Sequence, residues 1–136
     1  MPLDNPYQRY RQTAVNTSEP ADLVVMTYEA VVRWVMRGKT AIASGDVVEA
    51  HEALINAQKL VANLSISLDF ERGGGIAQNL RSIYDYLIDR LVAANVQKKP
   101  EILDEIIGLV QPLLQAWRMA VTQTRTPARV GVQAGA

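Results

Sequence analysis

The 136-residue chain is 49% hydrophobic and 21% charged, with 14 basic and 14 acidic side chains and a formal net charge of zero. That composition supports a single domain around one hydrophobic core and excludes a wholly disordered chain. It gives no overall positive field for nucleic acid or an anionic membrane, and the lack of cysteine excludes disulfide staples and cysteine nucleophiles.

The start, Met1-Pro2-Leu3-Asp4-Asn5-Pro6, lacks the basic segment and apolar run of a secretory signal. No window reaches the roughly 18 consecutive apolar residues of a membrane span, so a cytoplasmic (cytosolic) protein without stable membrane insertion is expected. Residues 1–20 hold Pro2, Pro6 and Pro20 and read as an extended or briefly helical arm. Thr17 or Ser18 is placed to cap the helix that follows, with Pro20 in its first turn.

From Ala21 to about Ser44, the polar residues Asp22, Glu29, Arg33, Arg37 and Thr40 recur along one helical face, and most other positions are apolar. Gly45 ends this segment, and Asp46 can cap a second helix over roughly 46–70, with Val47, Ala50, Leu54, Ala57, Val61, Leu64 and Leu68 on its main stripe. Arg72-Gly73-Gly74-Gly75 predicts a sharp turn, because glycine admits conformations costly for other residues. A third helix is expected over 76–96, with Ile76, Leu80, Ile83, Tyr84, Leu87, Leu91 and Ala94 on its stripe, and a fourth over 101–122, with Leu103, Ile106, Val110, Leu113, Trp117 and Ala120, the two separated by Lys98-Lys99-Pro100. Pro112 lies inside the fourth, where proline costs about 3 kcal/mol, and Gly108 four residues earlier leaves room for a gentle kink. Residues 122–136 lose the period and read as a disordered tail, with Arg125 and Arg129 serving solubility. The expected architecture is all-α: an N-terminal arm (1–20), an antiparallel four-helix bundle (21–121) and that tail.

No catalytic constellation emerges, and no cofactor is implied. His51 is flanked by Glu49 and Glu52, but a dinuclear carboxylate bundle needs a glutamate–histidine pair from each of two helices, and there is one histidine. An ordinary exposed or interfacial histidine is expected instead. Asp85 and Asp89, with Arg81 and Arg90 beside them, read as an ion-pair network on a solvated face. The glycine run lacks the Lys-Ser/Thr ending of a phosphate loop. Surplus apolar residues are more informative: Val25, Val32 and Met36 on the first helix, and Ile102, Ile107, Leu109 and Leu114 on the fourth. Some close the core and some are available as grooves for another helix, which favours binding over catalysis. Tyr7 and Tyr10, at i,i+3 in the arm, either cover such a groove or tether the terminus.

The chain resembles the flagellin-specific export chaperone family. The resemblance rests on Asn5-Pro6-Tyr7-Gln8-Arg9-Tyr10, on Thr17-Ser18-Glu19-Pro20-Ala21-Asp22-Leu23-Val24, and on Met26-Thr27-Tyr28-Glu29-Ala30. It is carried further by Ser67-Leu68-Asp69-Phe70-Glu71-Arg72-Gly73-Gly74-Gly75-Ile76-Ala77-Gln78-Asn79-Leu80, by Ile83-Tyr84-Asp85-Tyr86 and by Ala116-Trp117. These span residues 5–121 in the expected order. Ile83 stands where leucine is more usual, and Pro112 and the basic tail have no clear counterpart.

The resemblance implies a non-enzymatic four-helix chaperone with a movable arm. Its client is the disordered C-terminal segment of flagellin, held back from premature polymerisation and presented for type III export. Other flagellar export or regulatory components are further implied partners. Asn5, Tyr7, Tyr10, Leu68, Ile76, Asn79, Leu80, Tyr84, Ile107 and Leu114 are the residues expected to bind the partner or cap its groove. The alternative is a non-enzymatic helical adaptor or regulatory protein for a different helical partner.

Overall fold

The computed structural model describes the backbone of residues 19–135 and the side chains of residues 19–122. Four α-helices follow in order: α1 (Ala21–Ala43), α2 (Val47–Ile66), α3 (Phe70–Gln97) and α4 (Pro100–Gly135). Connections of two or three residues force each helix to fold back beside its predecessor. The pairs across the fourth seam show that α4 also runs antiparallel to α1. Glu29, early in α1, meets Arg118, late in α4, at 2.9 Å, and Lys39, late in α1, meets Asp104, early in α4, at 2.7 Å. The seams α1–α2, α2–α3, α3–α4 and α4–α1 therefore close a ring, as the bundle expectation requires.

Local chemistry sets the helix starts. Pro20 occupies the N-cap of α1 and supplies no side-chain cap, one position earlier than its expected place inside the first turn. Its carbonyl accepts from the Val24 amide at 3.1 Å, and Asp22 complements the helix dipole. Thr17 and Ser18 lie outside the described residues. Asp46 caps α2 as expected, accepting from the Glu49 amide at 3.0 Å, after Gly45 has turned the chain at φ 77°. The α2 helix stops at Ile66 rather than near residue 70, because Asp69 caps a new turn by accepting from the amides of Glu71 and Arg72.

The glycine run consequently differs from the expected four-residue turn. Residues 70–73 are already helical, and the break narrows to Gly74, at φ 52° and ψ −124°. The α3 helix ends at Lys98, which is left-handed at φ 54° and whose Nζ donates to the Asn95 carbonyl and to Asn95 Oδ1, both at 2.5 Å. Pro100 then opens α4, where its missing donor costs nothing. That helix continues through Pro112, and its backbone stays helical to Gly135, beyond the boundary expected near residue 122.

The core lies along the bundle axis. Val24, Tyr28, Val31 and Val35 of α1 meet Leu54, Val61 and Leu64 of α2, Leu80, Tyr84, Leu87 and Leu91 of α3, and Leu103, Ile106, Val110 and Trp117 of α4. Gly38 lets α1 and α2 approach closely; a Cβ there would stand 2.8 Å from Leu54 Cδ2.

Candidate functional site

Each of the four seams carries a polar link near its rim. Arg37 meets Glu49 across α1–α2, Asn95 meets His51 across α2–α3, and the two ion pairs above span α4–α1. Across α3–α4, Glu105 takes two bonds from α3: the Tyr86 hydroxyl donates to Oε2 at 2.5 Å and Arg90 Nε donates to Oε1 at 2.8 Å. These bonds hold the Glu105 carboxyl below the usual carboxylate range, the Tyr86 bond being the larger cause. The same bond raises the Tyr86 phenol. All these groups are exposed or half-exposed, so solvent screens each pair and none is a strong source of stability. They select the register more than they supply stability.

Arg90 thus pairs across the seam and not with its sequence neighbour Asp89, as the expected network had it; adjacent helical residues point about 100° apart. The other part of that network, Arg81 with Asp85, is present at 4.0 Å on the solvated face.

The α3 and α4 backbones approach each other least closely of the four neighbouring pairs. Helical spacing from Tyr86 places Ile83, Asn79 and Ile76 on the α3 side, and spacing from Glu105 places Leu109, Pro112, Leu113, Ala116 and Met119 on the α4 side. Ile76, Ile83 and Leu113 are half-buried against the core, whereas Leu109 and Met119 remain 38% and 39% exposed. The result is a long apolar strip, polar only at Asn79 and closed at one end by Tyr86, Arg90 and Glu105. Across α4–α1 there are two shallow depressions of about 410 and 320 Å³. Val25, Met26 and Val121 line the first, Val32 and Leu114 the second, and the Glu29–Arg118 pair borders both. Ion pairs thus interrupt that surface.

Beneath both seams lies a polar aromatic group. The Tyr28 and Tyr84 hydroxyls hydrogen-bond to each other across the bundle diagonal, and Tyr28 also packs on Trp117 with ring centroids 6.5 Å apart. Burial pushes Tyr84 up to about 12, and burial followed by the Tyr84 neighbour raises Tyr28 further above its ordinary value. The buried Trp117 N–H has no well-formed hydrogen bond among the described residues, although it lies near enough to Tyr28 to oppose that rise slightly. Both phenols are neutral donors and acceptors at physiological pH, with no acid–base role.

No group of three His, Asp or Glu side chains among the described residues is arranged to hold a metal ion. His51 is exposed and interfacial, with Nδ1 2.9 Å from Asn95 Nδ2. No described helix is long and apolar enough to cross a membrane.

The profile of the family described as "Flagellar protein FliS" matches residues 3–124. The chain belongs to the FliS family. A flagellar secretion chaperone FliS of Bacillus subtilis is 32% identical over 125 residues, covering 92% of both chains. The flagellar secretion chaperone FliS of Salmonella typhimurium is 35% identical over 108 residues, covering 79% of this chain and 80% of its own. A crystal structure of a bacterial flagellar chaperone superposes with a TM-score of 0.72 at 19% identity, over 88% of this chain and 98% of that one, and supports the fold. The FliS family is a chaperone family and not an enzyme family.

Within this FliS bundle the ten expected binding residues divide into groups. Asn5, Tyr7 and Tyr10 lie outside the described residues. Ile76 and Asn79 stand on the α3–α4 seam, half-buried and exposed respectively. Ile107 is half-buried on the α4 face toward α1, and Leu68 is half-buried in the α2–α3 connection. Leu80, Tyr84 and Leu114 are core residues, at most 6% exposed. Leu109 was legible as surplus apolar surface and Tyr86 as part of the family motif, but Met119 and Glu105 were not expected at a site. A signal existed for Tyr86 and Arg90, which are four residues apart and so share a face.

Proposed function

We propose that this chain is a flagellin export chaperone. It binds the disordered C-terminal segment of flagellin in the cytosol, delays its polymerisation and presents it for type III flagellar secretion. The observation that carries this reading is FliS-family membership over residues 3–124. The half-exposed apolar strip between α3 and α4 is consistent with it. A client that folds on the bundle loses conformational entropy, and only burial of apolar surface can offset that loss. Leu109, Leu113 and Met119 with Ile76 and Ile83 provide such surface, and Asn79 provides one polar anchor. In the absence of client, Tyr7 and Tyr10 of the arm cover the groove, each ring supplying apolar area with a hydroxyl at the hydrated edge.

Calorimetry with the C-terminal segment of flagellin from the same cell tests the assignment. Saturable binding is expected, with a negative heat-capacity change from apolar burial. Absence of binding with both components soluble removes it. Amide exchange in the same titration reads the arm. Residues 5–15 are expected to change protection when client binds, and an unchanged pattern removes the displaceable arm while leaving the client assignment intact.

A further inference from the structure

We propose that Tyr86, Arg90 and Glu105 form a clasp that confines opening of the α3–α4 seam to the stretch beyond it, and so sets where a bound client helix must stop. The client half of this inference rests on the flagellin reading; the mechanical half does not.

Both oxygens of the Glu105 carboxylate are engaged from α3, at 2.5 Å by Tyr86 and at 2.8 Å by Arg90. The two donors stand one turn apart on the same face, so together they resist sliding as well as splaying. Charge assistance strengthens both bonds, and the charged side chains are only about a third exposed, at 33% for Arg90 and 38% for Glu105. Beyond the clasp, between residues 76–83 of α3 and 109–119 of α4, no hydrogen bond or ion pair joins the two helices among the described residues. Apolar contact alone holds them there, and such contact is non-directional. The seam can widen in that stretch without breaking a bond that depends on angle.

The open part of α4 runs from Leu109 to Met119, about 15 Å at the helical rise. This matches roughly three turns of an inserted amphipathic helix and is much shorter than the bundle. Tyr86, 46% exposed, stands at its closed end. A client helix advancing along the strip meets the ring and the paired charges there, and going further would require desolvating Arg90 and Glu105.

Amide exchange on the full-length protein, with and without the flagellin C-terminal segment, tests both halves, using Glu105→Ala and Tyr86→Phe. In the free protein, Glu105→Ala is expected to accelerate exchange several-fold across residues 86–97 and 100–108 while α1 and α2 hold their wild-type rates. Tyr86→Phe, which keeps the ring and removes one bond, should give a smaller acceleration in the same segments and serves as the decisive variant should Glu105→Ala fail to fold. With client, wild-type protection should rise over residues 76–83 and 109–119 and stop short of 86. In Glu105→Ala it should spread past 86. A folded variant whose free exchange does not move overturns the clasp, and a wild-type footprint already reaching residue 90 overturns its role as a stop. Failure of the client to bind wild-type protein defeats the flagellin reading, and the free-protein rates still decide the clasp.

Discussion

Tyr28 and Tyr84 bring two hydroxyls into the centre of a helical core, where an unpaired one is expensive. Their mutual bond satisfies both and links the diagonal pair α1 and α3, which otherwise barely touch. Tyr28→Phe should therefore destabilise the bundle by about 1–3 kcal/mol, because it strands the Tyr84 hydroxyl. The double change Tyr28→Phe with Tyr84→Phe should cost less than the sum of the single changes. Denaturant unfolding of the three variants measures the coupling, and strict additivity would show that the bond contributes nothing. Trp117 is the large neighbour on which this pair rests, and its N–H is the one buried side-chain polar atom among the described residues without a well-formed hydrogen bond.

The α3 helix shows how a local conflict is resolved within an element. Asp69 starts a helical turn, three glycines oppose it, and the compromise is a single residue at φ 52° and ψ −124°. A Cβ at Gly74 would meet no neighbour within 4 Å, so any penalty for substitution is one of backbone conformation and not of space. Gly74→Ala should cost about 1–3 kcal/mol, whereas Gly75→Ala, which has a helical backbone and equal room, should be neutral or stabilising. Paired thermal melts of the two variants check this. Equal effects would mean that the kink at Gly74 is not retained in solution. Pro112 presents the converse case, since α4 passes through it without a break, and the open space around Gly108 fits that tolerance.

Across the assembled bundle, the α3–α4 seam carries one titrating link, the Glu105 carboxylate. Its bonds to Tyr86 and Arg90 depress the Glu105 pKa, so its contribution is complete above the unfolded carboxylate value and is lost as pH falls through the depressed folded value. Tyr86 and Arg90 face it from α3; Glu101 and Asp104 flank it on α4, with Asp104 held by Lys39 from α1. Glu105→Gln removes the titration and leaves those neighbours in place. The stability difference between wild type and Glu105→Gln should be greatest near neutral pH and should shrink as pH falls through the depressed folded value. Melts across pH 3–7 read it, and a gap that is constant with pH would show that the carboxylate charge does not hold the seam.

The apolar period alone determined the four-helix class and most of the core, because burial along a helix demands an apolar residue every three or four positions. Leu54, Leu87, Leu103 and Trp117 were on predicted stripes and are all fully buried. The Asp46 cap was legible for a similar reason, since one side chain and a nearby amide make the whole interaction. The seams were not legible. Periodicity says that a face is apolar but not which neighbour covers it, so Leu80 and Tyr84 resembled groove residues until the bundle closed over them. Arg90 had an adjacent acid in the sequence and took a distant one in space. The identity of the open seam, between α3 and α4, was decided only when four helices shared one core and two of them met less closely than the rest.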